Sequence, residues 1–316
     1  MRYNRFGKTE MKVSAMTLGT WGMGGVGWDR YDDETKADAI KAALECGINF
    51  FDTAPAYNSG AAERFLGKTL KDLGARDEIL IATKCGTLFV DGMVYRRDCR
   101  YESIRNQCEE SLKNLQTDHV DLMLIHWPDL NVPFEETMDA LNTLKKEGKI
   151  LHIGVSNFSV DQMKEAGQFG EIDAYQPQYS MVNRDSEEII RWAYEQDMGI
   201  MTYGSLGGGI LTGAHRVQKE FAAVDSRNRF YKHFHEPMFS RIMKLLKVMD
   251  GVSGEEGGKA LSQIALNWSS QKEFVSTCIV GAQTREKVCE NAAAFDWSLT
   301  EDEIRLLDEA VDALYA

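Results

Sequence analysis

The chain alternates short apolar runs with longer stretches in which apolar residues recur every three or four positions. The runs have the length of strands, and the stretches between them have the spacing of amphipathic helices. One run, VDLMLI at Val120–Ile125, is apolar at most positions, as expected of a strand buried on both faces. The eight runs are Ser14–Leu18, Ile48–Phe51, Ile79–Ala82, Val120–Ile125, Ile150–Val155, Ala174–Tyr175, Ile200–Thr202 and Val275–Val280. This alternation predicts βαβ units around a parallel sheet.

Eight strand and helix units fit the α/β fold of a (β/α)8 TIM barrel, which takes ~250 residues. The helical spacing is clearest at Glu34–Cys46, Tyr101–Leu115, Phe134–Glu147 and Ser186–Gln196. The remaining residues of this 316-residue chain fall largely at its ends. Residues 1–13 predict an N-terminal β-hairpin. Residues 300–315 predict an extra C-terminal helix, because Thr300 and Glu303 have the spacing of a capping box.

Domain organisation and class follow from composition. No linker-like segment interrupts the chain, so we expect one domain over residues 1–316. Lys and Arg total 36 and Asp and Glu total 49, giving a net charge of −13, which argues against nucleic-acid and anionic-membrane partners. No apolar run approaches the ~20 residues of a membrane span. Without a signal-like start or a C-x-x-C motif, the six cysteines are expected to be reduced thiols in a cytoplasmic protein.

A glycine-rich segment after the first run matches a dinucleotide-binding pattern. Gly22–Gly27 has the spacing G-x-G-x-x-G. In a Rossmann fold a helix opens within these glycines, whereas here residues 28–32 intervene before any helical pattern. We therefore expect a loop rather than a Rossmann nucleotide site.

Ionisable residues follow three of the predicted strands. Asp52 ends the second strand, with Tyr57 five residues later, and Lys84 and His126 end the third and fourth. In a barrel of this kind the chemistry lies at the carboxyl ends of the strands, so these four side chains are expected to converge. Each alone has a structural explanation as a cap, a solvated group or a semi-buried histidine.

These four residue types suit proton donation to a developing alkoxide. Tyr has an ordinary pKa of ~10, and a nearby Lys84 ammonium is expected to lower that of Tyr57. Asp52 would hold Lys84 in its charged form, and His126 would donate to a carbonyl oxygen or orient Tyr57. The pattern indicates carbonyl reduction, with hydride supplied by a cofactor.

At these positions the sequence resembles the aldo-keto reductase superfamily. The matching blocks, in order, are TLGTWGMGG, FDTAPAY, ATK, LIHWP, GKILHIGVSNF, QPQYSMVNR and GAQTREKVCEN. The resemblance implies an oxidoreductase that reduces a small-molecule aldehyde or ketone, with a sugar or polyol-derived carbonyl among the candidates, or that runs the reverse reaction. It implies a catalytic tetrad at Asp52, Tyr57, Lys84 and His126.

The resemblance also implies a cofactor site. Ser156, Asn157 and Gln176 match positions that bind the nicotinamide carboxamide, and Tyr203 matches the aromatic residue that stacks on the ring. Gly204, Ser205 and Leu206 match a pyrophosphate-contacting turn. The full set adds Thr20 and Trp21 after the first strand, Gly281, Gln283, Arg285 and Lys287 near the adenosine 2′-phosphate, and Glu290 and Asn291 near the adenine.

The choice between the two nicotinamide cofactors depends on one departure from the family pattern. Many relatives carry Arg or Lys where Gln283 stands. Arg285 or Lys287 could compensate, so NADP(H) is favoured and NAD(H) remains possible.

Substrate and competing functions stay open at this point. Aromatic residues on the expected mouth loops suit an apolar carbonyl, the face of a sugar or ordinary loop packing; they are Trp21, Trp28, Phe89, Tyr95 and Trp127. Arg96 and Arg97 suit an anionic substrate or a solvated surface. His233 and His235 lack an evident third zinc ligand. The alternatives are a Schiff-base aldolase using Lys84, a metal-dependent hydrolase and a nucleotide-sensing regulatory subunit. The irregular Ser205–Pro237 segment is long enough to be functional.

Overall fold

Eight parallel strands form a closed barrel, which confirms the predicted fold class. The computed structural model describes residues 1–25, 27–90, 94–223, 225–254 and 258–315. Strands in these residues are β1 Tyr3–Arg5, β2 Lys12–Ser14, β3 Met16–Gly19, β4 Phe50–Asp52, β5 Leu80–Cys85, β6 Thr87–Val90, β7 Val94–Arg97, β8 Val120–Ile125, β9 Ile150–Ser156, β10 Ala174–Gln176, β11 Gly199–Thr202 and β12 Thr277–Gly281. The order around the barrel is β3, β4, β5, β8, β9, β10, β11, β12, with β12 pairing back to β3.

Helices alternate with the barrel strands and pack around them. They are α1 Asp33–Glu45, α2 Ala61–Leu73, α3 Tyr101–Leu115, α4 Phe134–Lys146, α5 Val160–Ala166, α6 Glu187–Glu195, α7 Ser226–Arg229, α8 Met238–Ser253, α9 Leu261–Ser270, α10 Arg285–Ala292 and α11 Glu301–Asp312. Thr300 and Glu303 form the expected capping box at the start of α11. No helix in the part of the chain that the structure describes is long and apolar enough to cross a membrane.

Strand register brings the predicted catalytic residues to one end of the barrel. Asp52 on β4 lies opposite Ala82 on β5. Lys84 is two residues beyond Ala82, and alternate residues of a strand point to the same face. The two side chains therefore enter the same end of the barrel from neighbouring strands.

The N-terminal hairpin closes the opposite end. Phe6, in the turn between β1 and β2, is buried and packs edge-to-face on Phe50 with ring centroids 5.7 Å apart. A Cβ atom at Gly199 would lie 2.5 Å from the Phe6 ring, so this contact requires glycine. Side chains of the hairpin therefore seal the barrel interior at the amino ends of the strands, and the predicted catalytic residues lie at the carboxyl ends.

A second hairpin extends beyond the barrel and was not predicted as strands. β6 and β7 pair antiparallel directly after β5, with Phe89 opposite Tyr95. Its strands have only four residues each and lie outside the closed sheet, so they lack the long apolar run that identifies a barrel strand. The segment was expected only to carry aromatic residues near the mouth.

Truncating the side chain that seals the barrel is expected to destabilise the fold. Phe6→Ala should lower the free energy of unfolding by about 3–5 kcal/mol, because it leaves a cavity among buried side chains. Urea unfolding followed by circular dichroism measures the change. Phe6→Leu, which retains most of the volume, should lose clearly less. A Phe6→Ala value within about 1 kcal/mol of wild type would show that the hairpin does not contribute in this way.

Candidate active site

A buried ion pair forms the base of the site. Asp52 is 2% exposed and Lys84 is 1% exposed. The Lys84 Nζ lies 2.8 Å from both carboxylate oxygens of Asp52 and 2.8 Å from the backbone oxygen of Thr53. It also lies 3.1 Å from the Tyr57 hydroxyl oxygen. The ammonium therefore donates toward a carboxylate, a carbonyl and the phenol at once.

The backbone around Asp52 is fixed by the neighbouring strand end. The Thr20 backbone N–H and its hydroxyl both donate to the Asp52 backbone oxygen, at 2.9 and 3.0 Å. Gln176 donates from Nε2 to the Asp52 carboxylate at 2.8 Å. Asp52 is thus held by donors from three barrel strands or their ends, which leaves its carboxylate little freedom to move.

Charge in the pair is governed by burial and by mutual neutralisation. Burial lowers the pKa of Lys84 below its ordinary value, and the Asp52 carboxylate opposes that shift. Breaking such a pair leaves one charge buried without a partner, which is costly. The pair is therefore expected to stay intact as a neutral unit.

The expected lowering of the Tyr57 pKa is wrong for this structure. Burial raises the pKa of Tyr57 well above 10, and the Asp52 charge raises it further. The physical reason is that the fold removes the phenol from water, which disfavours the phenolate, and places the Asp52 carboxylate where it opposes a second negative charge. Tyr57 is therefore a fully protonated phenol at neutral pH.

His126 completes the tetrad from the end of β8. Its ring lies edge-on to the Tyr57 ring, with centroids 6.1 Å apart. Burial lowers the pKa of His126 well below 6.5, and the nearby Lys84 charge lowers it further. The imidazole is consequently neutral at pH 7 and carries one N–H donor. Tyr57 and His126 both remain partly exposed at the mouth, whereas Asp52 and Lys84 do not.

The predicted carboxamide-binding residues lie together beside the ion pair. Ser156 Oγ donates to the backbone oxygen of Gln176 at 2.7 Å, and Asn157 Nδ2 donates to Ser156 Oγ at 2.9 Å. Tyr203 donates its hydroxyl proton to Asn157 Oδ1 at 2.8 Å. Asn157 has a φ of 62°, a left-handed conformation that asparagine tolerates better than most residues.

These groups fit a nicotinamide amide next to an aromatic ring. A carboxamide needs both donors and acceptors, and the Asn157 and Gln176 side chains provide both within one strand-end cluster. Tyr203 contributes a partly exposed ring beside them. The residues present therefore suit the cofactor implied by the sequence resemblance.

The predicted pyrophosphate turn follows β11. Gly204 has a φ of 71°, which favours glycine, and a Cβ atom there would lie 3.2 Å from the Gln178 side chain. Ser205 is buried, with its hydroxyl 3.3 Å from the Ile279 backbone oxygen of β12. Leu206 packs partly buried against the hydrophobic core. The turn thus joins the ends of two neighbouring strands.

The turn after β12 and the start of α10 hold the residues predicted to lie near the adenosine 2′-phosphate. Arg285 and Lys287 differ in whether a carboxylate among the described residues already pairs with their charge. Arg285 forms a bidentate pair with Asp38 at 2.8 Å and contacts Glu45 at 2.6 Å, so two carboxylates of α1 neutralise it. Lys287 contacts the Tyr31 hydroxyl at 3.1 Å. Gln283 donates to the backbone oxygens of Gly22 and Asp29.

The remaining predicted cofactor residues vary in exposure. Gly281 is exposed at the end of β12. Glu290 accepts a hydrogen bond from Ser262 of α9 at 2.6 Å, and Asn291 is buried. Glu290 is thus engaged within the helical layer.

The long segment after β11 crosses the mouth. The Phe230 ring lies 5.7 Å from Trp21 and 6.3 Å from Tyr203, measured between centroids. The Ser226 N–H donates to the backbone oxygen of Gly27 at 2.9 Å. The described part of this segment therefore reaches the glycine-rich loop through Ser226 and Phe230. In that loop Trp21–Gly24 form a short turn that does not open α1.

Several other side chains that the sequence analysis named make contacts within the protein. Arg97 lies over the Trp127 ring at 5.4 Å, and Arg96 is 3.6 Å from Asp98. Phe89 packs on Tyr95, and Trp21 packs on both Trp28 and Tyr57. The buried His233 contacts the Gly207 backbone oxygen at 2.8 Å. Among the described residues, no group of three or more His, Cys, Asp or Glu side chains is arranged to hold a metal ion.

Some site features carry no signal in the sequence. The Thr53 carbonyl is an acceptor for Lys84, but any residue supplies a carbonyl. Phe230 reaches the mouth from a segment without periodicity. Asp38 and Glu45 neutralise Arg285, but their charged side chains on α1 have the sequence pattern of a solvent-exposed helix face. These contacts depend on tertiary packing rather than on local pattern.

Comparison with known proteins places the chain among redox enzymes. The model of the Aldo/keto reductase family matches residues 15–312. Aldo-keto reductase YhdN of Bacillus subtilis is 34% identical over 304 residues, which cover 96% of this chain and 91% of the relative. An NADH-specific methylglyoxal reductase of Escherichia coli is 32% identical over 329 residues, 98% of each chain. The structure of a glycerol dehydrogenase from Gluconobacter oxydans has a TM-score of 0.87 at 30% identity and covers 98% of this chain and 94% of that one.

Removing the cation of the buried pair is expected to destabilise the barrel. Lys84→Met should lower the free energy of unfolding by about 3–5 kcal/mol, because it leaves the Asp52 carboxylate buried without its partner. The double variant Asp52→Asn/Lys84→Met should recover much of that loss, since no uncompensated charge remains. Urea unfolding of both variants provides the comparison. Equal losses in the single and double variants would contradict a tightly coupled pair.

Proposed function

Because the chain belongs to the aldo/keto reductase family, we propose that Asp52, Tyr57, Lys84 and His126 reduce a carbonyl group at the barrel mouth. The protein is an NAD(P)(H)-dependent oxidoreductase that interconverts an aldehyde or ketone and the corresponding alcohol. The observation that carries the residue assignment is the contact of one buried ammonium with both Asp52 and the Tyr57 hydroxyl.

Tyr57 acts as the general acid in this proposal. Lys84 donates to the Tyr57 oxygen, so the phenol proton is left to point toward a substrate carbonyl oxygen. As the carbonyl carbon is reduced, its oxygen gains negative charge and takes that proton. The Lys84 ammonium, 3.1 Å away, then stabilises the phenolate that remains.

His126 orients the substrate carbonyl. Its neutral imidazole has one N–H to donate and adds no second positive charge beside Lys84. A hydrogen bond from His126 to the carbonyl oxygen would strengthen as that oxygen becomes an alkoxide. This arrangement favours the transition state over the ground state.

The cofactor would be held by residues from the ends of β9, β10, β11 and β12. Ser156, Asn157 and Gln176 would bind the carboxamide, with Tyr203 beneath the ring. When bound, the nicotinamide supplies or accepts the hydride. Gln176 also donates to Asp52, so it would connect the carboxamide subsite to the ion pair. The remaining proposed contacts are Thr20, Trp21, Gly204, Ser205, Leu206, Gly281, Gln283, Arg285, Lys287, Glu290 and Asn291.

A small carbonyl compound is the substrate class that the mouth favours. Trp21 stacks on Tyr57 with centroids 6.0 Å apart, and Phe230 packs edge-on to Trp21. These rings narrow the approach to the Tyr57 hydroxyl. Because two relatives are named for methylglyoxal and glycerol, short polar aldehydes and ketones form the first substrate panel.

Two alternative functions lose support from the same geometry. A Schiff-base lysine must present a neutral amine, whereas the Lys84 Nζ contacts the Asp52 carboxylate with both oxygens at 2.8 Å. A purely regulatory nucleotide sensor needs no proton donor beside the cofactor, whereas Tyr57 is a protonated phenol contacted by an ammonium. Both observations favour turnover.

Removing the phenol oxygen tests the acid role. Tyr57→Phe should lower kcat by at least ~100-fold, because the developing alkoxide loses its proton donor. The dissociation constant for the cofactor, measured by quenching of tryptophan fluorescence, should change little. Steady-state reduction of the aldehyde panel provides kcat. A Tyr57→Phe enzyme as active as wild type would contradict the assignment.

A substitution at Lys287 tests whether Lys287 or Arg285 contacts the adenosine 2′-phosphate of NADPH. Lys287→Met should weaken NADPH binding about 5- to 10-fold and leave NADH binding nearly unchanged, because Arg285 is already neutralised by Asp38 and Glu45. Lys287→Arg, which keeps the charge, serves as the control. Fluorescence titration with both nucleotides gives the ratio. An equal effect on NADH and NADPH would assign Lys287 another role.

A further inference from the structure

Two thiols lie in contact between α1 and α10. Cys46 is the C-cap of α1, and Cys289 lies within α10. Their Sγ atoms are 3.6 Å apart. Cys289 is exposed and Cys46 is half-buried, whereas the other four cysteines are buried. This is the thiol pair that a reagent in solution can reach.

The helix packing that holds the thiols together is itself fixed by ion pairs. Arg285 and Cys289 are four residues apart on α10, so they share one helix face. Arg285 binds Asp38 and Glu45 on α1, and Glu45 directly precedes Cys46. The ion pairs therefore hold α10 in the orientation that places Cys289 against Cys46.

The geometry allows a covalent bond with a small movement. A disulfide needs its sulfurs about 2.0 Å apart, so the two Sγ atoms must approach by roughly 1.5 Å. We expect rotation about the Cα–Cβ bonds of both residues to supply this movement. Cys46 lies after the last residue of α1 and is followed by Gly47, which places it where the backbone leaves the helix.

We propose that Cys46 and Cys289 form a redox site that a low-molecular-weight disulfide, such as oxidised glutathione, converts reversibly to an intramolecular disulfide. The Cys289 thiolate attacks the oxidant, forms a mixed disulfide and releases one reduced thiol. The Cys46 thiolate then attacks the Cys289 sulfur, forms the Cys46–Cys289 bond and releases the second reduced thiol. Each protein thiol gives up its proton, and the two electrons pass to the oxidant.

The accessibility of the two sulfurs sets this order. Cys289 is the exposed sulfur and meets the oxidant first. Burial and the neighbouring thiol raise the pKa of Cys46 to about 11, so little thiolate forms there and direct attack by Cys46 on an external oxidant is slow. Once Cys289 carries the mixed disulfide, Cys46 is already beside the sulfur it attacks.

The bond would fasten α10 to α1. It joins residues 243 positions apart in the chain, so it restricts the unfolded state strongly. α10 also follows the Gly281–Thr284 turn, and the bond would hold that helix in its present packing. Formation of this disulfide involves no step of the proposed carbonyl reduction.

Mass spectrometry after treatment of the full chain with oxidised glutathione tests the site. Wild type should lose about 2 Da and yield a peptide linking Cys46 to Cys289, and reduction should restore the original mass. Cys46→Ser lacks the second thiol and should stop at a glutathione adduct of about 305 Da. Cys289→Ser should stay unmodified over the same period. Both variants lie outside the proposed active site and should retain turnover.

Two results would overturn the proposal. Accumulation of the glutathione adduct in wild type, without closure, would show that Cys46 does not reach the Cys289 sulfur. A failure of wild type to react at all would show that Cys289 is not reactive. Thermal unfolding provides an independent check, because the oxidised wild type should melt about 5 °C or more above the reduced form. An unchanged or lower Tm would contradict a bond that forms within the present helix packing.

Discussion

The structure depends on a carboxylate and an ammonium that are buried together at the carboxyl ends of two neighbouring strands. Asp52 and Lys84 are almost fully buried, and charges so placed are tolerated only when paired and hydrogen-bonded. The register of β4 and β5 aligns them, and Thr20, Thr53 and Gln176 satisfy their remaining hydrogen-bonding groups. The strand ends of the barrel therefore hold this charged pair in a buried position.

The other proposed site residues acquire their properties from this pair. The ammonium occupies an acceptor position of the Tyr57 oxygen, which leaves the phenol proton free, and its charge helps to keep His126 neutral. Gln176 connects the pair to the polar cluster of Ser156 and Asn157. The proposed proton donor, carbonyl-orienting group and carboxamide-binding groups thus meet around one fixed charge, an arrangement that suits carbonyl reduction.

Much of the fold and part of the site follow from sequence pattern, and the limits have physical causes. The buried run VDLMLI and the Thr300–Glu303 capping box are local signals, and both appear as expected in β8 and α11. The convergence of the tetrad follows from barrel geometry once the strand ends are known. In contrast, the pKa of Tyr57 depends first on how far the fold buries the phenol and then on the nearby Asp52 charge. The neutralisation of Arg285 depends on a contact with a helix that is distant in sequence. Neither the Tyr57 pKa nor the neutralisation of Arg285 can be predicted from the residues adjacent in sequence.

In the proposed mechanism, Lys84 is an ammonium that donates to the Tyr57 hydroxyl. Nitrogen-15 NMR of protein labelled at lysine Nζ reports the protonation state of this side chain directly, and Lys84→Met assigns its signal. We expect the Lys84 nitrogen to carry three hydrogens at pH 7 and to retain them in the presence of the cofactor. A neutral amine at pH 7 would contradict this mechanism, because the phenol proton would then have no cation to stabilise its departure.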